Sequence, residues 1–166
     1  MAKNSTFRVL GIDPGLHITG YGLVDIKGHE QSIVEAGTIR TVAKAEMPER
    51  LVQIYTDLTE ILAEFKPDLI GVEQLYAHYN HPRTSILMGH ARGVILLAAQ
   101  QAGVKVCNIA ATQVKKSLTG NGHASKEQMQ LAIQSLYRLK APPSPPDVAD
   151  ALAIALCAGK HTLSNI

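Results

Sequence analysis

The feature that most constrains this chain is a change of hydrophobic period at Pro48. Before it lie three strand-length stretches: Phe7 to Asp13, stopped by Pro14 and Gly15; Ile18 to Ile26, rich in β-branched and aromatic residues; and Gln31 to Arg40, after a turn at Lys27 and Gly28. Such runs between turn residues predict a β-meander. From Pro48 onward, Leu51, Ile54, Tyr55, Leu58, Ile61, Leu62 and Phe65 recur at i, i+3, i+4 spacing, which predicts an amphipathic helix closed by Pro67.

Strand and helix patterns then alternate. Asp68 to Glu73 is a short apolar run ending in a carboxylate, as expected of a strand covered on both faces. Thr84 to Ala102 is helical in length but shows little polar face, so it is expected to be buried or to meet a partner. Val104 to Ile109 returns to strand character, and Ala111 to Leu118 and Ser125 to Leu139 predict helices on either side of Gly120-Asn121-Gly122. Pro142, Pro143, Pro145 and Pro146 form a stiff connector ahead of a nearly all-apolar helix, Asp147 to Ala158. A meander followed by α-β-α-β-α predicts an α/β sandwich on a mixed sheet. With 166 residues and no repeat or linker, one domain is expected.

Composition excludes several classes. No apolar run reaches membrane-span length and no secretory leader pattern is visible, so the protein is expected in the cytoplasm. Cys107 and Cys157 lack metal-ligand spacing, and two distant cysteines make no disulfide framework. The net charge of +2 hides an uneven distribution: residues 1–73 carry seven Lys/Arg against eleven Asp/Glu, and residues 74–146 carry eight against Glu127 alone. A basic stretch beside an acidic one suits a polyanion bound through its phosphates, although solvated surface lysines give the same count.

Four carboxylates stand out. Asp13 and Glu73 close predicted strands, where open α/β sheets place ligands. Asp147 and Asp150 are i, i+3 and so share one face of the last helix. Gathered together they would repel unless a divalent cation neutralised them, and an all-oxygen set suits Mg²⁺ or Mn²⁺. Each also has a structural reading. Asp13 before Pro-Gly is an ordinary turn residue, and Asp147 after Pro-Pro fits a helix N-cap with Asp150 as its capping-box partner. Glu73 is the hardest to explain without a function, because a carboxylate closing Leu69-Ile70-Gly71-Val72 is costly to bury unpaired.

Five stretches carry a family resemblance: Leu10 to Gly15 with Thr19 to Gly22, Val72-Glu73-Gln74, Gly89 to Val94, Gln113-Val114-Lys115, and Asp147 to Ala155. In this order and spacing the chain resembles the RuvC Holliday-junction resolvases. The resemblance implies an RNase H-like fold with a mixed five-stranded sheet flanked by helices. It further implies a nuclease with two Mg²⁺ ions, replaceable by Mn²⁺, held by Asp13, Glu73, Asp147 and Asp150. Family members act as homodimers that nick opposed strands of a four-way junction, in concert with RuvA and RuvB. The helix from Thr84 to Ala102 resembles the family's dimer helix. Tyr76 matches a position usually held by a base-stacking Phe, and Lys115 and Lys126 match basic positions near the scissile phosphate. Asp147 stands where some members carry His, which keeps this donor set all-oxygen. His78 and His81 read as surface histidines of a polar loop.

Two other readings compete. Gly11 to Gly15 followed by a hairpin also resembles the first phosphate loop of actin-like ATPases and sugar kinases, which need a second domain for which this length leaves no room. A non-catalytic junction-binding module would use the basic stretch alone and leave the four acids to turns and helix ends.

Overall fold

The computed structural model of the chain describes residues 5–75 and 82–164. The elements in chain order are β1 (Phe7–Asp13), β2 (Ile18–Lys27), β3 (Glu30–Arg40), α1 (Met47–Phe65), β4 (Leu69–Glu73), α2 (Pro82–Gln101), β5 (Lys105–Ile109), α3 (Ala111–Thr119), α4 (Lys126–Tyr137) and α5 (Pro146–Ser164). The sheet has five strands in the order β3-β2-β1-β4-β5. The first three pair antiparallel, while β4 runs parallel to both β1 and β5. This is the mixed sheet expected from the sequence.

Strand alternation sorts the two layers. Leu10, Ile12, Ile70 and Val72 point to one face and pack with Ile54, Leu58 and Leu62 of α1 and Ile95, Ala98 and Ala99 of α2. Val9 and Leu69 point to the other face, where the cluster contains α5, Val114 of α3, and Met129 and Ile133 of α4. Continuing the same parity, Asp13 and Glu73 fall on the α5 side of the sheet.

Helix α5 is apolar on nearly every side because it is covered on nearly every side. Residues from Val148 to Gly159 are almost all buried, between the sheet beneath and α3 and α4 above. It also runs past the expected end at Ala158, as far as Ser164. Gly159 still rests against Ile26 and Val9, and Leu163 packs on the same core, although the sequence loses its continuous apolar run there.

Seating so close to the sheet needs missing side chains. A Cβ on Gly11 would lie 2.0 Å from the Ala151 carbonyl oxygen and 2.4 Å from the Ala155 nitrogen. Gly11 pairs with Gly22 on one side and Gly71 on the other, so a row of glycines crosses the sheet under the helix. No Cβ-bearing residue fits at the centre of that row.

Of the two expectations for α2, burial or a partner, burial accounts for one side only. Ala91, Ile95, Ala98 and Ala99 are buried against α1 and the sheet, but Ile86 is 60% exposed and Leu97 is 52% exposed. Its apolar residues thus lie on two sides, one used by this fold.

Candidate active site

Sheet order makes Asp13 and Glu73 neighbours. Ile12 is in register with Val72 on adjacent parallel strands, so the two acids close their strands side by side at the same end of the sheet. Asp13 also stands opposite Gly20 on β2. A Cβ at Gly20 would lie 2.1 Å from the Asp147 carbonyl oxygen, so the start of α5 sits directly on the strand beside Asp13. The helix begins at Pro146, ahead of Asp147, which puts Asp147 inside the first turn rather than at the cap, and Asp150 follows on the same face.

Two lysines arrive from the helices above. Buried Val114 anchors α3 beside the site and sets the position of its neighbour Lys115. The start of α4 is fixed by a capping box, in which the Ser125 nitrogen donates to Gln128 Oε1 at 2.8 Å and the Gln128 nitrogen donates to Ser125 Oγ at 3.2 Å. Lys126 is the first residue of that helix. Asp13, Glu73, Asp150, Lys115 and Lys126 together line one cavity of about 190 Å³, floored by Val114 and Met129. Asp147 lies to one side and lines a neighbouring cavity.

Electrostatics tie all four acids to one centre. Burial pushes the Asp13 carboxyl up to about 8, with Glu73, Asp150 and Asp147 adding to the rise and Lys126 opposing it. Burial likewise raises Glu73, helped by Asp150 and countered by Lys115 and Lys126. Asp150 is raised by burial, lowered by Lys126, raised by Asp147 and lowered by Lys115. Desolvated acids without full compensation are what a divalent cation relieves, and the oxygen-only donors suit a hard one. Among the described residues, no three Asp, Glu, His or Cys side chains are drawn together closely enough to hold one ion in this arrangement.

Arg92 belongs to the Gly89 to Val94 stretch and has a structural task. Its Nε donates to the Glu73 carbonyl at 3.2 Å and its Nη2 donates to Asn108 Oδ1, so it ties the acid-bearing end of β4 to β5. The basic count alone had grouped it with residues suited to a polyanion. Tyr76, His78 and His81 lie outside the described residues.

Sequence reading missed the clasp on the turn after Asp13. Arg50 Nε donates to Thr41 Oγ1 and Nη2 to the Leu16 carbonyl, both at 3.0 Å, and Nη2 also lies 2.8 Å from His17 Nδ1. A signal was present, because Arg50 is one helical turn before Ile54 and extends the buried line Ile54, Leu58, Leu62. A charged residue on that stripe required a partner.

Comparison with known proteins agrees with this geometry. The sequence profile of the family described as "Crossover junction endodeoxyribonuclease RuvC" matches residues 9–158. A protein of that name from Rhodopirellula baltica is 50% identical over 157 residues, covering 95% of this chain and 87% of the relative. One from Heliobacterium modesticaldum is 44% identical, covering 94% and 95%. The solved structure of Thermus thermophilus RuvC in complex with a Holliday junction substrate superposes with a TM-score of 0.88 at 34% identity, covering 96% of each chain. A yeast mitochondrial Holliday junction resolvase, at 15% identity and a TM-score of 0.66, shares the fold. Strand order, acid placement and these matches together show that the chain belongs to the RuvC crossover junction endodeoxyribonuclease family.

Proposed function

We propose that residues 1–166 act as one RNase H-like nuclease domain that resolves Holliday junctions by paired nicks in opposed strands, serving DNA recombination and repair. The observation that carries this reading is the cavity itself. Three elements bring Asp13, Glu73 and Asp150 to its wall with Asp147 alongside, and two further elements bring Lys115 and Lys126 to the same place. Acids for cations and lysines for phosphate are the two requirements of phosphodiester hydrolysis.

Asp13, Glu73, Asp147 and Asp150 would hold two divalent cations, with Mg²⁺ the natural choice and Mn²⁺ able to substitute. When bound, such ions supply Lewis acidity at the phosphodiester and lower the pKa of water. Lys115 and Lys126 hold the scissile phosphate and offset the charge that grows on it. Tyr76 stacks on a base unpaired at the crossover. No Ser, Thr or Cys is among the described residues lining the cavity, which favours direct attack by water over a covalent intermediate.

Opposed nicks need two sites. The outer face of α2 supports a homodimer: exposed Ile86 and Leu97 flank Gly89 and Gly93, and a Cβ at either glycine would meet nothing within 4 Å. A small-residue strip between apolar residues lets an identical helix approach closely about a two-fold axis. RuvA and RuvB are the expected partners in branch migration. No helix among the described residues is long and apolar enough to cross a membrane, in keeping with work on DNA in the cytoplasm.

The deciding experiment places a synthetic four-way junction beside a linear duplex, each with Mg²⁺ or EDTA. Junction-selective, Mg²⁺-dependent nicking is the expected result. Equal cutting of the duplex, or cutting in EDTA, would overturn the reading.

A further inference from the structure

The two buried polar side chains among the described residues, Thr19 and Arg50, both grip the β1–β2 turn. Thr19 Oγ1 donates to the Gly15 carbonyl at 2.7 Å and accepts from the Gly15 nitrogen at 3.3 Å. Arg50, 8% exposed, reaches the same turn from α1 through the Leu16 carbonyl and His17, and Thr41 Oγ1 adds a 2.6 Å bond to the Leu16 carbonyl. Burying a guanidinium to hold a surface turn is costly, and a turn held this firmly has a fixed product. That product is the orientation of His17.

The clasp also fixes the chemistry of the ring. A guanidinium nitrogen can only donate, so His17 Nδ1 is the acceptor of the Arg50 bond and the ring hydrogen resides on Nε2. The ring is exposed and lines a second cavity, about 420 Å³, with Ile18, Thr84, Leu87, Met88 and Asp147. Asp147 is the one acid of the cluster on that wall. Lys115 and Lys126 line the first cavity and Asp147 lines the second, and the two linings share no residue, so the second cavity is open to a strand that continues from the acids past Asp147. The volume is in the range that accepts one small-molecule-sized unit, and the mostly apolar lining suits a deoxyribose or base.

We propose that this second cavity is a subsite for one nucleotide flanking the cut, and that His17 is its positioning residue, donating from Nε2 to the adjoining phosphate while Arg50 holds the ring. This rests on the junction-nuclease reading above. It adds a contact on the Asp147 side of the site, in a cavity that neither lysine lines.

The test uses the full chain with Mg²⁺ and four-way junctions in which a single methylphosphonate replaces, in turn, the phosphate on either side of the cut. His17→Ala is expected to slow single-turnover cleavage of the all-phosphate junction about tenfold, equivalent to about 1.4 kcal/mol. One methylphosphonate position should slow the unaltered protein by a similar factor and His17→Ala by less than about twofold, because the contact is already gone. His17→Gln, which keeps an N–H donor, should recover most of the rate. Full additivity at both positions, or unchanged cleavage by His17→Ala, would overturn the proposal while leaving the nuclease reading intact. Failure of the unaltered protein to cut the all-phosphate junction would overturn both.

Discussion

The Arg92 guanidinium donates to the main-chain carbonyl of Glu73, so an arginine of α2 holds the strand end that presents an acid of the site. Its other bond, to Asn108, anchors that grip on β5. Arg92→Ala should destabilise the fold by about 1–3 kcal/mol, the usual cost of stranding partners of a charged donor. At this chain length that lowers Tm by roughly 2–4 °C per kcal/mol. Cleavage should fall further than junction binding, because Glu73 loses its support. Calorimetric unfolding beside gel-shift and nicking assays would check this, and an unaltered Tm would refute the structural role given to Arg92.

Replacing an acid should separate binding from cutting. Asp13→Asn and Glu73→Gln are expected to retain junction affinity within a few-fold and to lose cleavage by at least about a thousandfold, since each removes a donor charge from the site. Unchanged nicking by either variant would sink the assignment.

Protons compete with cations at Asp13. With its carboxyl raised to about 8, the folded chain keeps a proton that an unfolded aspartate gives up near pH 4. The associated stability is fully present below about pH 4 and drains away as pH rises to about 8. Without divalent cation, Tm should therefore fall between about pH 5 and pH 8.5, and Asp13→Asn should remove most of the fall. A divalent cation held by Asp13, as proposed above, must displace that proton, so the apparent affinity for Mg²⁺ should rise with pH over the same window. Calorimetry across the pH series tests both, and a flat metal-free profile would contradict the burial assigned to Asp13.

How much of this was legible in the sequence depended on whether the signal was local. Strand parity and turn chemistry are local, so β1 to β4 were readable to within a residue at each end. Helix α5 stood out by its apolar run, but its length did not, because Gly159 and Leu163 find their core partners on distant elements. The pairing of β1 with β4 could not be read from either strand, since adjacency is a property of topology. Nor could the support of the acids. Arg50 and Arg92 were two cations among sixteen; the stripe of α1 showed that Arg50 needs a partner, but only the fold shows that both are committed to backbone carbonyls.

Salt should reveal the lysines. If Lys115 and Lys126 each neutralise a phosphate, Lys115→Ala and Lys126→Ala should each lower the slope of log affinity against log salt concentration by about 0.9 for duplex arms. Their effect on binding should be similar across junction sequences, because phosphate contacts carry no sequence information. An unaltered slope in both variants would remove these residues from the DNA contact.

The outer face of α2 gives a prediction that does not depend on chemistry. Gly93→Leu places a bulky side chain where this fold has open space, so the stability of the monomer should change by no more than about 1 kcal/mol, the helix-propensity gain included. A dimer built on that face should dissociate. Sedimentation at micromolar concentration reads the two apart, and a persisting dimer would move the interface elsewhere.

The glycine row beneath α5 sets the tolerance of the whole site. Because Gly11 and Gly20 let the helix backbone rest on strand backbone, the distance from Asp147 and Asp150 to Asp13 is fixed by main chain against main chain, with no side chain in between to change rotamer. The helix works as a spacer bar whose thickness cannot be adjusted by ordinary sequence drift. Substitutions in the surrounding core can loosen or tighten the protein as a whole, but they have little purchase on the gap between the acids. A single methyl group added at Gly20 would widen it.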